Sequence, residues 1–141
     1  MSYYRIDRVK STIHALQDKG IRVSLFIAPH KKHIDKSKEA GSSMIELHTG
    51  CYALAKTKKE IARQFSIVNE ATQYARRLNL TVNAGHGLKY DNTKPVARIE
   101  GINELNIGHS IISRAVFVGL EQAVREMLKI MNLPEASLGV S

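Results

Sequence analysis

The 141-residue chain has a single cysteine, Cys51. A lone cysteine excludes an internal disulfide and fits a reducing, cytoplasmic setting. A nucleophilic role for it would need a matching motif around it, and none is present. Tryptophan is absent and aromatic residues make up 6% of the chain, so a platform for stacking nucleic-acid bases is poorly supplied. No apolar run approaches the roughly 18–20 residues that a membrane helix needs. The opening MSYYRIDRVK lacks the apolar stretch of a secretory signal. Neither a membrane-spanning nor an exported protein is expected. No histidine–carboxylate spacing follows a known metal motif, and neither metal nor cofactor is expected.

Positive charge is abundant. Twenty-one Lys and Arg stand against 13 Asp and Glu, a net charge of +8. Such a surface attracts anions, which leaves nucleic acid and small phosphorylated substrates as candidate partners. The basic residues are spread along the chain with no stripe, which makes nucleic acid the weaker candidate.

The hydrophobic pattern marks four βα-like units. Ile6, Val9, Ile13 and Leu16 recur at helical spacing, and Gly20 follows as a stop. Residues 21–28, IRVSLFIA, form a short β-branched run typical of a buried parallel strand. A lysine-rich stretch from Lys31 to Ala40 predicts a short helix. The second strand is predicted at 43–48, followed by the loop HTGCYALAK. Thr57 to Glu60 has the capping-box pattern, and the helix behind it should carry Ile61, Phe65, Val68, Thr72 and Ala75 on one buried face and end near Leu78. The third strand is predicted at 80–85, a weak helix from Lys94 to Ile99, and the fourth strand at 104–108. One long helix should start near Ser110, bury Ile111, Ala115, Val118, Val124, Leu128 and Met131, and stop before Pro134. Residues 1–134 then form one domain and 135–141 a frayed tail.

Alternating strands and helices imply an α/β fold with right-handed βαβ units and a parallel sheet. Ligands bind such sheets at the carboxyl ends of the strands. Glu46, His48, Thr49, Asn83, His86, Asn106 and His109 should therefore share one rim. Glu46 and His48 lie two apart on a strand and point to the same face; they could be a structural hydrogen-bonded pair or a catalytic one. In NAGHGL, Gly85 and Gly87 flank His86 just past a strand, which suits either a plain glycine turn or an acid–base histidine beside a ligand. Gly108 and His109 precede a helix, where free amides and the helix dipole favour phosphate; Ser110 could cap the same helix. His14, His30 and His33 are expected at the surface.

Taken in order, VSLFI, IELHTGCYA, VNAGHGL and ELNIGHSII resemble the pyridoxine 5′-phosphate synthase family, from about Ile6 to about Met131. The resemblance implies four parallel βα units corresponding to strands five to eight, the C-terminal half, of a (β/α)₈ TIM barrel. It implies condensation of 3-amino-2-oxopropyl phosphate with 1-deoxy-D-xylulose 5-phosphate. It makes His86 the proton donor, Glu46 a transition-state stabiliser, and Gly87, Gly108 and His109 substrate and phosphate contacts. His48, Thr49, Asn83 and Asn106 are supporting candidates. The segments that the family carries on strands one to three have no counterpart here. A half barrel leaves sheet faces around Val23, Leu25 and Ile45 in want of cover. Self-association through the open sheet, as a homo-oligomer, pairing with a complementary N-terminal half, or only marginal stability of the lone chain is therefore expected.

Overall fold

The computed structural model describes residues 3–132, with side chains from Ile6 onward. Eleven elements follow one another: α1 (Tyr3–Gln17), β1 (Ser24–Ile27), α2 (Lys31–Glu39), β2 (Met44–His48), α3 (Gly50–Leu54), α4 (Lys58–Arg77), β3 (Thr81–Gly85), α5 (Thr93–Ala97), β4 (Ile102–Asn106), α6 (His109–Val118) and α7 (Leu120–Asn132). The expected tail at 135–141 and Pro134 lie outside the described residues. No helix among the described residues is long and apolar enough to cross a membrane.

The strands form one parallel sheet in the order β1-β2-β3-β4, so β1 and β4 are its edges among the described residues. Register decides what each face carries. Ile45 pairs with Leu25 and Val82, and Leu47 with Ile27 and Ala84. Ile45, Leu47, Val82 and Ala84 point to the helix-covered face and join Ile34, Val68, Ala71, Ala75 and Val96 in the core, with Ile27 packed against it. Glu46 pairs with Phe26 and Asn83, and His48 with Gly85. They point to the opposite, open face. An irregularity between Val82 and Asn83 puts Asn83 beside Glu104 and leaves Asn103 as the extra residue.

α4 obeys its capping box. The Glu60 amide donates to Thr57 Oγ1 at 3.2 Å, while the Glu60 carboxylate receives the Lys56 amide. Val68, Thr72 and Ala75 are buried as predicted and Phe65 is partly buried, but Ile61, in the first turn of the helix, is exposed. Three expectations need correction. The loop after β2 contains the five-residue helix α3. The single long C-terminal helix is two, because Gly119 at φ +83° interrupts it; a residue in that region breaks the helical hydrogen-bond ladder. The restart turns the buried face of α7 to Ala123 and Met127, leaving Val124 and Leu128 exposed. Cover is also distributed differently from expectation: Ile45 is fully buried by helices, Val23 and Leu25 are half-buried, and Phe26 is the large apolar residue left 54% exposed on the open face.

Candidate active site

The carboxyl ends of the strands open into a groove of about 810 Å³, within the usual range for a small-molecule site. Glu46, His86, Gly87, Asn106, Gly108 and His109 line it together. These are residues from the ends of β2, β3 and β4 and from the start of α6, as expected for a parallel sheet.

His86 sits one residue beyond β3 at φ +81°, and Gly87 follows at φ +77°. A left-handed backbone is unusual for a residue with a Cβ, and something must hold it there. Thr49 does so. Its hydroxyl lies 2.7 Å from the carbonyl oxygens of both Gly85 and His86, and its amide donates to Gly85 O at 2.8 Å. Thr49 itself is fully buried. Gly87 must be glycine for a second reason: a Cβ there would come within 2.8 Å of the Ala53 Cβ on α3.

Glu46 is oriented from the neighbouring strand end. Asn106 Nδ2 donates to Glu46 Oε2 at 2.7 Å. Gly85 leaves space for that pair, since a Cβ at this position would fall 2.5 Å from Glu46 Oε1. His48 stands beside the groove and stacks on His86, ring centroids 4.5 Å apart. Burial, and secondarily the charge of His86, hold the His48 imidazole below its usual range. The Gly50 amide donates to His48 Nδ1 at 3.3 Å, which suits a neutral ring with its proton on Nε2.

α6 begins with Gly108 in the N-cap position and no side chain closing it. Its first amides have no partner inside the helix. Ser110 is not the cap: its hydroxyl donates to Leu88 O at 2.8 Å.

Besides His48, two supporting candidates stand outside the groove. Thr49 is a buried brace. Asn83 is buried mid-sheet, donating to Glu104 and accepting from Asn103. His14 and His30 are exposed, and His33 is half-buried against His30. Sequence reasoning missed Phe26, Lys89, Tyr90, Asp91 and Ser113, which also line the groove. The loop after Gly87 is tied down at several points: Asn92 Oδ1 accepts the Lys89 amide, Thr93 Oγ1 donates to Lys89 O, and Tyr90 donates to Ala123 O. Tyr52 donates to Asn92 O, and burial first, then Asp91, pushes its hydroxyl above the usual range. The signal that could have found this wall is the run LKYDN, longer than a tight turn requires and holding a cation, an aromatic and an acid directly after His86. Among the described residues no three His, Cys, Asp or Glu side chains converge as metal ligands.

Comparison with known proteins gives one consistent result. The family described as "Pyridoxal phosphate biosynthesis protein PdxJ" matches residues 3–133. A pyridoxine 5′-phosphate synthase of Legionella pneumophila (strain Corby) is 49% identical over 94% of this chain and 53% of its own length. One from Synechococcus sp. (strain WH7803) is 50% identical over 95% of this chain and 53% of its own. The chain thus spans about half the length of these curated relatives. The crystal structure of the YdjI aldolase from Escherichia coli K12 superposes with a TM-score of 0.56 at 14% identity, covering 94% of this chain and 56% of that one. This likeness concerns the fold, and a four-stranded parallel sheet with alternating helices fits half of a barrel.

Proposed function

Because the chain belongs to the pyridoxal phosphate biosynthesis protein PdxJ family, we propose that its groove serves the closing of the pyridine ring. The reaction is condensation of 3-amino-2-oxopropyl phosphate with 1-deoxy-D-xylulose 5-phosphate to give pyridoxine 5′-phosphate, phosphate and water. The observation that carries this reading is that an acid–base histidine, an oriented carboxylate and an uncapped helix start face one space.

Each group has a task its surroundings suit. The first amides of α6, with Gly108 and His109, receive a substrate phosphate at the positive end of the helix dipole. Gly87 lets the substrate approach the backbone closely. His86 donates a proton to the leaving oxygen during dehydration; its ring is exposed to the groove, where an imidazole can serve as acid or base. Glu46, one oxygen fixed by Asn106, stabilises positive charge that develops on the condensing nitrogen. The expected setting is the cytoplasm.

The test is turnover of both substrates by the purified chain. Product formed at a rate that His86→Ala lowers by about 10²–10⁴-fold, without loss of fold, would support the reading. A second reading rests on the open four-stranded sheet and on the coverage of about half of each relative. In it the chain is one half of a site: it binds phosphate but turns over only when paired with four further βα units, from another copy or a complementary polypeptide. Absence of turnover with retained, His109-dependent binding of 1-deoxy-D-xylulose 5-phosphate would favour this second reading. A monodisperse monomer in size-exclusion mass measurement at micromolar concentration would sink the pairing. Loss of both turnover and binding would sink both readings.

A further inference from the structure

We infer that His48 is the positioning residue for the His86 imidazole: a flat ring, clamped on its other sides, against which the proposed proton donor is held. The inference rests on the reading of His86 as the acid, but its geometry stands apart from the chemistry.

Two successive residues at the end of β2 hold two parts of one residue at the end of β3. Thr49 fixes the His86 backbone through the carbonyl contacts at 2.7 Å. The His86 side chain has no hydrogen-bond partner among the described residues. Its ring is placed by contact alone, with His48 stacked at 4.5 Å and 28° and Phe26 at 6.4 Å. His48 is far better restrained. Phe26 meets it edge-on at 5.3 Å, and the Gly50 amide holds Nδ1. The Gly50 backbone also lies so close that a Cβ there would come 2.3 Å from His48 Cε1. The order of restraint is therefore backbone, then His48, then His86.

Stacking suits an acid only while the platform is neutral. A neutral ring offers its face to the imidazolium that His86 becomes when charged, whereas two stacked cations repel. The groups facing His48 are His86 from the β3 loop and the uncharged Phe26 from β1; Glu46 is the carboxylate on its own strand and the same sheet face. Burial keeps His48 neutral at physiological pH. Lowering the pH through the His48 midpoint, below 6.5, should break the stack.

The experiment is histidine-selective NMR of the full chain without substrate, with the His86 ring signals assigned by their disappearance in His86→Gln. The stacked face should give His86 ring protons an upfield shift relative to exposed His14 and His30, and a nuclear Overhauser contact to Phe26. His48→Ala should abolish both while the core methyl signals stay in place, and His48→Phe, which restores a flat ring, should recover them. In the unsubstituted chain the Phe26 contact should vanish at the midpoint at which His48 itself titrates; in His48→Phe it should persist to lower pH. Unchanged His86 signals in His48→Ala, or loss of the Phe26 contact at the same pH in His48→Phe, would overturn the inference. Failure of the ring-closing reading is seen separately, as turnover indifferent to His86→Ala while the unsubstituted chain still shows the stack.

Discussion

The two faces of the sheet are made by alternate residues of the same strands, and they obey different rules. The helix-covered face is closed and apolar: Ile45, Leu47, Val82 and Ala84 are at most 1% exposed. The open face carries Phe26, Met44, Glu46, His48, Asn83 and Glu104, and there the polar groups hold one another. No buried side-chain polar atom among the described residues lacks a partner. One face thus supplies stability through burial, and the other supplies orientation through pairing.

The largest effect should come from the closed face. Leu47→Ala leaves a cavity among fully buried neighbours and should cost about 2–5 kcal/mol in chemical denaturation, with no specific effect on the groove. Thr49→Val comes next. It leaves the Gly85 and His86 carbonyls without their hydroxyl partner, and a loss of about 1–3 kcal/mol is expected, together with a changed His86 environment by NMR. A smaller, opposite change should follow His86→Gly: the left-handed φ is free for glycine, so stability should hold or rise by up to about 1 kcal/mol while any turnover is lost. That divergence separates the two faces most sharply.

The pH response reads the same boundary. The folded state holds the His48 pKa below its unfolded value of 6.5. Below 6.5 the unfolded chain takes up a proton before the folded chain does. Stability should therefore fall as pH drops through 6.5 and level off below the folded midpoint, and His48→Phe should flatten this dependence in a denaturation series. A similarly modest effect is expected at Phe26→Ala. Its side chain is half exposed on the open face, so truncation should cost less than about 1.5 kcal/mol and be felt mainly in the His48 and His86 ring signals.

The sequence made the scaffold legible wherever one periodicity ran long enough to be seen. α4 announced itself through Thr57, Glu60 and the Phe65–Val68–Thr72–Ala75 stripe, and β1 through the β-branched run at residues 21–28. α3 was invisible because five residues cannot establish a period. β4 begins at Ile102, two residues before the expected start, because Gly101 at φ +95° turns the chain directly into the strand. The break at Gly119 was readable as a glycine, but the apolar spacing ran on through it and masked it. The candidate site was legible at residues that needed a strand end: Glu46, His86, Gly108 and His109. Asn83 and Thr49 looked equivalent, yet their contacts are with the backbone and the sheet. The pairing of Asn106 with Glu46, sixty positions apart, and the clamp on His48 depend on register, which single-strand patterns do not contain.

The strand order has a kinetic consequence. Space follows sequence, so each strand pairs with its predecessor and waits for nothing later in the chain. Residue 24 pairs with 44, 44 with 81, and 82 with 102, so the middle loop is nearly twice as long as its neighbours. Closing it carries the greater entropic penalty, by roughly 0.5 kcal/mol for a near doubling. During synthesis the β1–β2 pair can form first, and the rate-limiting event should be the docking of β3 behind α4. That step also brings His86 onto His48, so the candidate rim takes shape at the moment the chain commits to its fold.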